Sequence, residues 1–364
     1  MAYGSVNADT LVTSTSGGIL GAGNASIMKN RLINGAMVIN QRGSSSYGTG
    51  VYTLDRWQAL ATQASKYTVG QNAGSVTPPA GFPNYLGVTS SSAYSVGATD
   101  YFYINQNIEG YNWADLNWGS ANAKTVTLSA WVYSSLTGTF GGSLLNWAGN
   151  YSYPFTYSIP VANTWTQISV TITGPTAGTW VGATNGGALQ VYFSLGTGST
   201  YSGTAGSWSA NYYGSATGAV SVVGTSGATW YVTGVQLEVG SSATGFEYRQ
   251  YGQELALCQR YYAKMISSTA IASFGSGYVN SATQALYYIK YPTTMRSAPT
   301  FSYSNIAIDS QPATPTVTSA GTTYAGTDTL SVVLNGSGGG LTTGQATVLR
   351  GTTTTAYVDF SAEL

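Results

Sequence analysis

Apolar and polar side chains alternate with a period of two along most of this chain. In 126–133 (VTLSAWVY), Val126, Leu128, Ala130 and Val132 fall on one side and Thr127, Ser129, Trp131 and Tyr133 on the other. The stretch 165–172 (WTQISVTI) alternates Ile168, Val170 and Ile172 with Gln167, Ser169 and Thr171, and 188–195 (ALQVYFSL) sets Leu189, Val191, Phe193 and Leu195 in phase. In 230–239 (WYVTGVQLEV), Tyr231, Val235, Leu237 and Val239 share a phase. Alternation rich in β-branched and aromatic residues predicts strands with one buried face. Loops dense in Gly, Asn, Ser and Thr separate them, as in 173–187 and 196–218. No helical period falls between these strands, so the pattern predicts an all-β chain, an antiparallel sandwich or jelly roll rather than a parallel α/β sheet.

Only 252–265 (GQELALCQRYYAKM) has a helical period, with Leu255, Cys258, Tyr262 and Met265 at i, i+3, i+7 and i+10. A helix this short is marginal alone and must pack on something. Two readings stand: a linker docked between two β units, or three copies meeting on a symmetry axis. Beyond it the β pattern resumes in 284–291, 298–304, 329–335 and 345–350, punctuated by a turn at 335–340 (NGSGGG). No fixed repeat is visible, which argues against a β-helix or propeller. The division expected is an N-terminal segment 1–30, a jelly-roll or β-sandwich domain 31–247 holding every tryptophan, a linker helix 248–266, and a second, smaller β-sandwich domain 267–364.

Composition narrows the function. Only 7% of the 364 residues are charged, with 12 Lys+Arg against 12 Asp+Glu. A balanced charge argues against nucleic acid or an anionic membrane as partner, since both require clustered cations. The chain has no His, which removes the commonest general base and metal ligand, and its single Cys excludes an intrachain disulfide framework. No basic stretch followed by an apolar run opens the sequence, and no apolar run is long enough to span a bilayer, so neither a secretory signal nor membrane insertion is expected.

Several stretches resemble tail-fibre-type proteins of bacteriophages: VNADTLVTSTSGGILGAGNASIMKNRLINGAMVINQRG (6–43), YTLDRW (52–57), INQNIEGYNWADLNWGSANAKTVTLSAWVYSSLTGTFGG (104–142), GVQLEVGSSATGFEYRQYGQELALCQRYYAKM (234–265) and the closing FSAEL. The resemblance implies a carbohydrate-binding-module-like jelly roll in the middle segment, with QLE (236–238) on its closing strand. It also implies a non-enzymatic virion component, a homotrimer assembled in the host cytoplasm and working outside the cell after lysis. Residues 1–30 would contact other virion proteins, or form a tail with no fixed structure. Such a protein would be a receptor-binding tail fibre on host surface glycan, or a capsid or tail decoration protein with no sugar binding. A polysaccharide depolymerase is a remote alternative.

Sugar binding requires flat aromatic faces for the C–H side of a pyranose, ringed by amides and hydroxyls for its OH groups. The candidate carbohydrate-binding residues are Trp113, Trp147, Tyr151, Trp180, Trp208 and Tyr212, all within two residues of Asn, Gly or Ser. Their alternative role is to fill a core or a subunit contact. Trp180 and Trp208, flanked by Gly and Ser, are expected to be exposed; Trp131 and Trp230, inside strands, read as structural. The densest acidic group, Asp100, Glu109 and Asp115, is the place to look for a glycosidase pair, although turn or salt-bridge roles are the ordinary ones for isolated acids; no catalytic residue is assigned. No cofactor is expected. The resembled family admits a structural calcium, for which Glu238 is the acid to name, and Cys258 is expected to be a buried thiol.

Overall fold

A computed structural model describes residues 11–12, 19–20, 28–43, 50–269 and 271–364. The attachment role expected of residues 1–30 therefore falls almost entirely outside the described residues. A small ladder pairs Leu11–Val12 with Ile19–Leu20.

Two sheets face each other in the first half of the chain. Its strands, in chain order, are β1 (Val51–Leu54), β2 (Trp57–Ala61), β3 (Tyr67–Gln71), β4 (Leu86–Ser90), β5 (Tyr101–Glu109), β6 (Val126–Ser134), β7 (Gly138–Asn146), β8 (Ser152–Ile159), β9 (Thr166–Ile172), β10 (Gly187–Thr197), the two-residue β11 (Ser202–Gly203) and β12 (Ser215–Ala216), and β13 (Thr229–Val239). One sheet runs β8-β7-β10-β5-β2-β1 and the other β9-β6-β13-β4-β3, with antiparallel pairing throughout both. This is the jelly-roll sandwich that the alternation predicts. Its core holds the predicted faces: Val126, Leu128, Ala130 and Val132 from β6, and Leu189, Val191, Phe193 and Leu195 from β10, packed with Trp57, Ile104 and Trp230. Apolar burial at about 25 cal/mol per Å² is what makes these alternating sequences settle as two facing layers.

The phase predicted for β13 is broken. Trp230 and Val232 enter the core, then a bulge between Thr233 and Gln236 shifts the register so that Val235 and Leu237 enter next. Tyr231 faces outward instead, stacked on Tyr133 at 5.1 Å. Gly234 makes the bulge with φ +61°, a left-handed conformation that costs glycine little. Beyond the bulge, the segment around residues 30–35 takes over as the neighbour of β13. Arg31 N–H donates to the Leu237 carbonyl at 2.9 Å, and Val235 N–H to the Gly35 carbonyl at 2.9 Å. A Cβ at position 35 would lie 2.1 Å from the Val235 oxygen, so the approach requires glycine.

The helix is shorter than its period suggests. It spans Tyr251–Gln259 (α1), and Tyr262–Ile266 (β14) is a strand paired with Tyr357–Ser361. Leu255 and Cys258 do lie on the packed side, whereas Tyr262 and Met265 continue the helical phase by coincidence. A free strand edge in the second half offers β14 ladder hydrogen bonds that the helix end lacks. The helix docks on the N-terminal segment: Cys258 packs with Ile33, Ile39 and Tyr261, and the Glu254 carboxylate accepts the Asn34 N–H. Arg260 makes a two-pronged ion pair with the buried Glu109 at the end of β5, and Tyr261 donates to the same carboxylate at 2.5 Å.

The remaining strands are β15 (Ser273–Ser281), β16 (Gln284–Lys290), β17 (Thr300–Ser304), β18 (Ile306–Asp309), β19 (Val317–Ala325), β20 (Thr329–Gly336), β21 (Ala346–Gly351) and β22 (Tyr357–Ser361). They form a second sandwich, with a six-stranded sheet β18-β21-β15-β16-β20-β19 over a three-stranded sheet β14-β22-β17. Its separate core includes Tyr287, Ile289, Val332, Leu334, Leu349 and Phe360. The last residues return to the first sandwich. Glu363 pairs with both Arg42 and the fully buried Arg56, and the Leu364 carbonyl accepts from Tyr52 and Asn107.

Candidate functional site

The loops that carry the predicted aromatics converge on one end of the jelly roll. Asn146, at the end of β7, accepts the Asn150 and Tyr151 N–H groups at 3.0 and 2.9 Å and donates to the Thr179 carbonyl at 3.1 Å. One amide thus ties the 147–151 hairpin to the 173–187 loop. Trp208 Nε1–H reaches the Thr173 carbonyl at 2.7 Å, and Ser152 and Ser209 exchange two 2.9 Å backbone bonds, which bring in the 202–216 loop.

Four of the six predicted residues join one chain of ring contacts. Trp113 meets Trp118 edge-on at 4.5 Å, Trp118 meets Trp180 at 4.9 Å and Trp208 at 5.2 Å, and Trp208 stacks on Tyr151 at 5.6 Å and 10°. Trp113, however, is only 1% exposed and belongs to the core, so it has no face to offer a ligand. Trp180 is half-buried, wedged against Gly119 and Gly178, where added Cβ atoms would lie 2.8 and 3.1 Å from its ring. Its glycine neighbours therefore make room for a ring on the backbone and do not signal exposure. Tyr212 lies in a different cluster, with its hydroxyl 3.3 Å from that of Tyr192. Tyr192 stacks on Tyr103, and Tyr103 on Tyr101, along the outward face of β10 and β5. Burial pushes the phenols of Tyr103, Tyr192 and Tyr212 up, so all three stay protonated, and the Tyr212 hydroxyl, donating to that of Tyr192, ties the 201–214 loop to the sheet. Trp147 stands apart: its ring lies on Gly187, where a Cβ would come within 2.2 Å, and the residue is 40% exposed.

Beside Trp208 opens a cleft of about 380 Å³, lined by Ser202, Thr204, Ser207, Ser209, Tyr213 and Thr217 among others. Tyr213 lies flat on Gly203, whose absent Cβ would be 2.3 Å from the ring. The hydroxyls of Ser202, Thr204, Ser207 and Thr217 make no hydrogen bond to the protein among the described residues, and no charged side chain lines the cleft. Two rings and several uncommitted hydroxyls form a neutral surface able to stack on one face of a polyhydroxylated ring and to exchange hydrogen bonds around its rim. Trp208, expected to be exposed, is half-buried, packed against Trp118, Trp180 and Tyr151, because its Ser-rich loop folds back on the ring cluster. Tyr213 and the hydroxyls carry no signal in the sequence, because Ser, Thr and Tyr abound in every loop.

The acids take other roles. Asp100 and Glu109 sit at opposite ends of β5, about 30 Å apart at strand rise, far beyond the separation of a glycosidase pair. Asp100 accepts from Thr62, Tyr94 and the Gly97 N–H, and the Tyr94 hydrogen bond leads in holding its carboxyl below the usual range. Asp115 pairs with Arg31 and Lys124. Glu238 does not suit a calcium ion. Its oxygens face protons, from Gln236 Nε2 at 2.9 Å, the Thr244 N–H at 2.8 Å and the Thr244 hydroxyl at 2.6 Å, so it closes a loop where a cation would need oxygens. Among the described residues no group of three or more acids or thiols is arranged to hold a metal, and no helix is long and apolar enough to cross a membrane.

The fold and site define an all-β chain whose first sandwich is a jelly roll with an uncharged aromatic cleft at one end. No protein-family model matches the chain, and no curated protein matches it. Among solved structures it is similar to a putative sugar binding protein from Bacteroides thetaiotaomicron (12% identity, 58% of this chain and 100% of that one, TM-score 0.31). It is also similar to a family 61 carbohydrate-binding module in complex with β-1,4-galactotriose (9%, 58% and 99%, TM-score 0.30) and to a family 4 module (14%, 57% and 98%, TM-score 0.29). Scores this low carry no argument about ligand; the fold rests on the chain's own sheet order.

Proposed function

We propose that this chain is a non-enzymatic glycan-binding protein of a bacteriophage virion, a tail fibre or receptor-binding protein that contacts host cell-surface glycan as a homotrimer. The observation that carries the glycan reading is the cleft beside Trp208, with two rings, four uncommitted hydroxyls and no charge. Such a surface suits a neutral sugar and supplies no countercharge to an ion. Weak single contacts multiplied over three chains would give useful attachment. A second reading, a decoration protein with no sugar binding, draws on the outward face of the six-stranded sheet, where Tyr278, Tyr288, Tyr324 and Val348 are exposed and suited to burial against another subunit.

Calorimetric titration of purified chain with neutral oligosaccharides, alongside mass measurement in solution, tests the proposal. Saturable binding by a trimer is expected, weakened about tenfold or more by Trp208→Ala and by the double change Thr204→Val/Ser207→Ala, a loss of about 1.4 kcal/mol. The double variant disturbs no ring packing, so its loss of binding would not reflect misfolding. A folded trimer that binds none of the sugars would point to the decoration protein.

A further inference from the structure

The opposite sheet carries a second groove. Trp131 is inside β6, yet it lies on the outward side, between the core residues Ala130 and Val132. It is half-buried, and its indole N–H makes no hydrogen bond to the protein among the described residues. It stands in register with Gln167 on β9 and Thr233 on β13.

Beyond Trp131 the β13 bulge raises a wall. Phe82 seats on Gly234, where a Cβ would come within 2.7 Å of its ring. Phe82, Phe246 and Tyr248 pack on one another with centroids 5.0–5.5 Å apart. Between this wall and Trp131 lies a groove of about 190 Å³, with Ser129 and Gln167 also on its lining and no charged side chain. The Gln167 amide is exposed, and neither it nor the Ser129 hydroxyl is bonded to the protein among the described residues. A purely apolar partner would leave the indole N–H, the amide and the hydroxyl unsatisfied on burial, each at a cost comparable to a lost hydrogen bond. A charged partner would find no countercharge.

We infer that this groove is a second glycan-binding site, taking a neutral oligosaccharide over the Trp131 ring with its hydroxyls on Gln167 and Ser129. It rests on the reading of the chain as a glycan binder, and it lies on the other sheet from the strands that support the Trp208 cleft. Two sites on one protomer would let a single chain hold a long polysaccharide, or two strands of one, and would add to avidity without new contacts between subunits.

The test uses the full chain labelled with 5-fluorotryptophan, its Trp131 and Trp208 fluorine signals assigned by Trp131→Phe and Trp208→Phe. Cellohexaose, xylohexaose and maltohexaose are each titrated to millimolar concentration. The inference expects the Trp131 signal to move saturably with at least one of them, to do so still in Trp208→Ala, and to require about threefold to tenfold more sugar in Gln167→Ala, the loss of one neutral hydrogen bond. Movement at Trp208 alone overturns the inference and leaves the first site standing, whereas movement at Trp131 alone supports it and removes the Trp208 cleft. Silence at both overturns both. A Trp131 signal that follows protein concentration instead of sugar makes the groove a subunit contact and overturns the inference.

Discussion

Several glycines in this chain are companions of aromatic rings. Trp147 lies on Gly187, Tyr213 on Gly203 and Phe155 on Gly142, each at a distance that excludes a Cβ, and Tyr151 and Trp180 crowd Gly178 at 3.0 and 3.1 Å from an added Cβ. Gly142 is confined by backbone as well as by a ring, with an added Cβ 2.3 Å from the Tyr192 oxygen and 2.4 Å from the Phe155 ring. Gly142→Ala is expected to overpack the core and lower the unfolding free energy by about 1–3 kcal/mol, read from urea midpoints. Asp55 is the residue with a pH signature. Burial raises its carboxyl from an ordinary 3.8 to about 6, against the opposing hydrogen bonds from Gln41. The folded state therefore holds a proton that the unfolded state has released between about pH 4 and 6. Stability falls as pH rises through that window and stays lower above it, by about 3 kcal/mol from this group. Asp55→Asn should flatten that stretch of the stability–pH curve, measured by thermal melts across pH. Cys258 is buried and its thiol is pushed well up, chiefly by burial, so alkylation by iodoacetamide is expected only after denaturation.

At the scale of elements, strands were legible wherever one face is buried and the other wet, because alternation reports that difference directly. The β6, β9 and β10 patterns placed their inward residues correctly. Alternation misleads where a strand or helix answers to a second partner. In β13 the bulge at Gly234 inverts the phase, since the backbone there answers to the segment around residues 30–35 as well as to β6. At the helix, a periodic face continued past the point where β14 finds the edge of β22. The helix is held less by its own sequence than by Glu109, which receives Arg260 and Tyr261. Glu109→Ala removes both bonds and strands a partly buried guanidinium. It should cost about 2 kcal/mol, and amide exchange in 251–259 should accelerate well beyond that in β6.

In the whole molecule, two cores are fastened at one joint. Arg56 is fully buried, with its charge answered by Glu363 from the far end of the chain. Glu363→Ala leaves that charge unpaired, an expected loss of about 3 kcal/mol or more. Every tryptophan lies between Trp57 and Trp230, so fluorescence reports the first sandwich while far-ultraviolet dichroism reports both. Coincident urea transitions are expected for the natural chain and separated ones for Glu363→Ala.

The sequence by itself determined the class: strands from alternation, one helix from one periodic stretch, an uncharged chemistry from its composition, and aromatic loops as candidate contact surfaces. These are local properties, and each residue carries its part of the signal. Only the tertiary structure decided which rings are accessible. It buried Trp113 in a core, wedged Trp180 between two glycines, raised a wall of rings beside the outward Trp131, and set Tyr213 and four loop hydroxyls around Trp208. Exposure depends on what the rest of the chain lays against a side chain, and those neighbours come from segments far away in sequence.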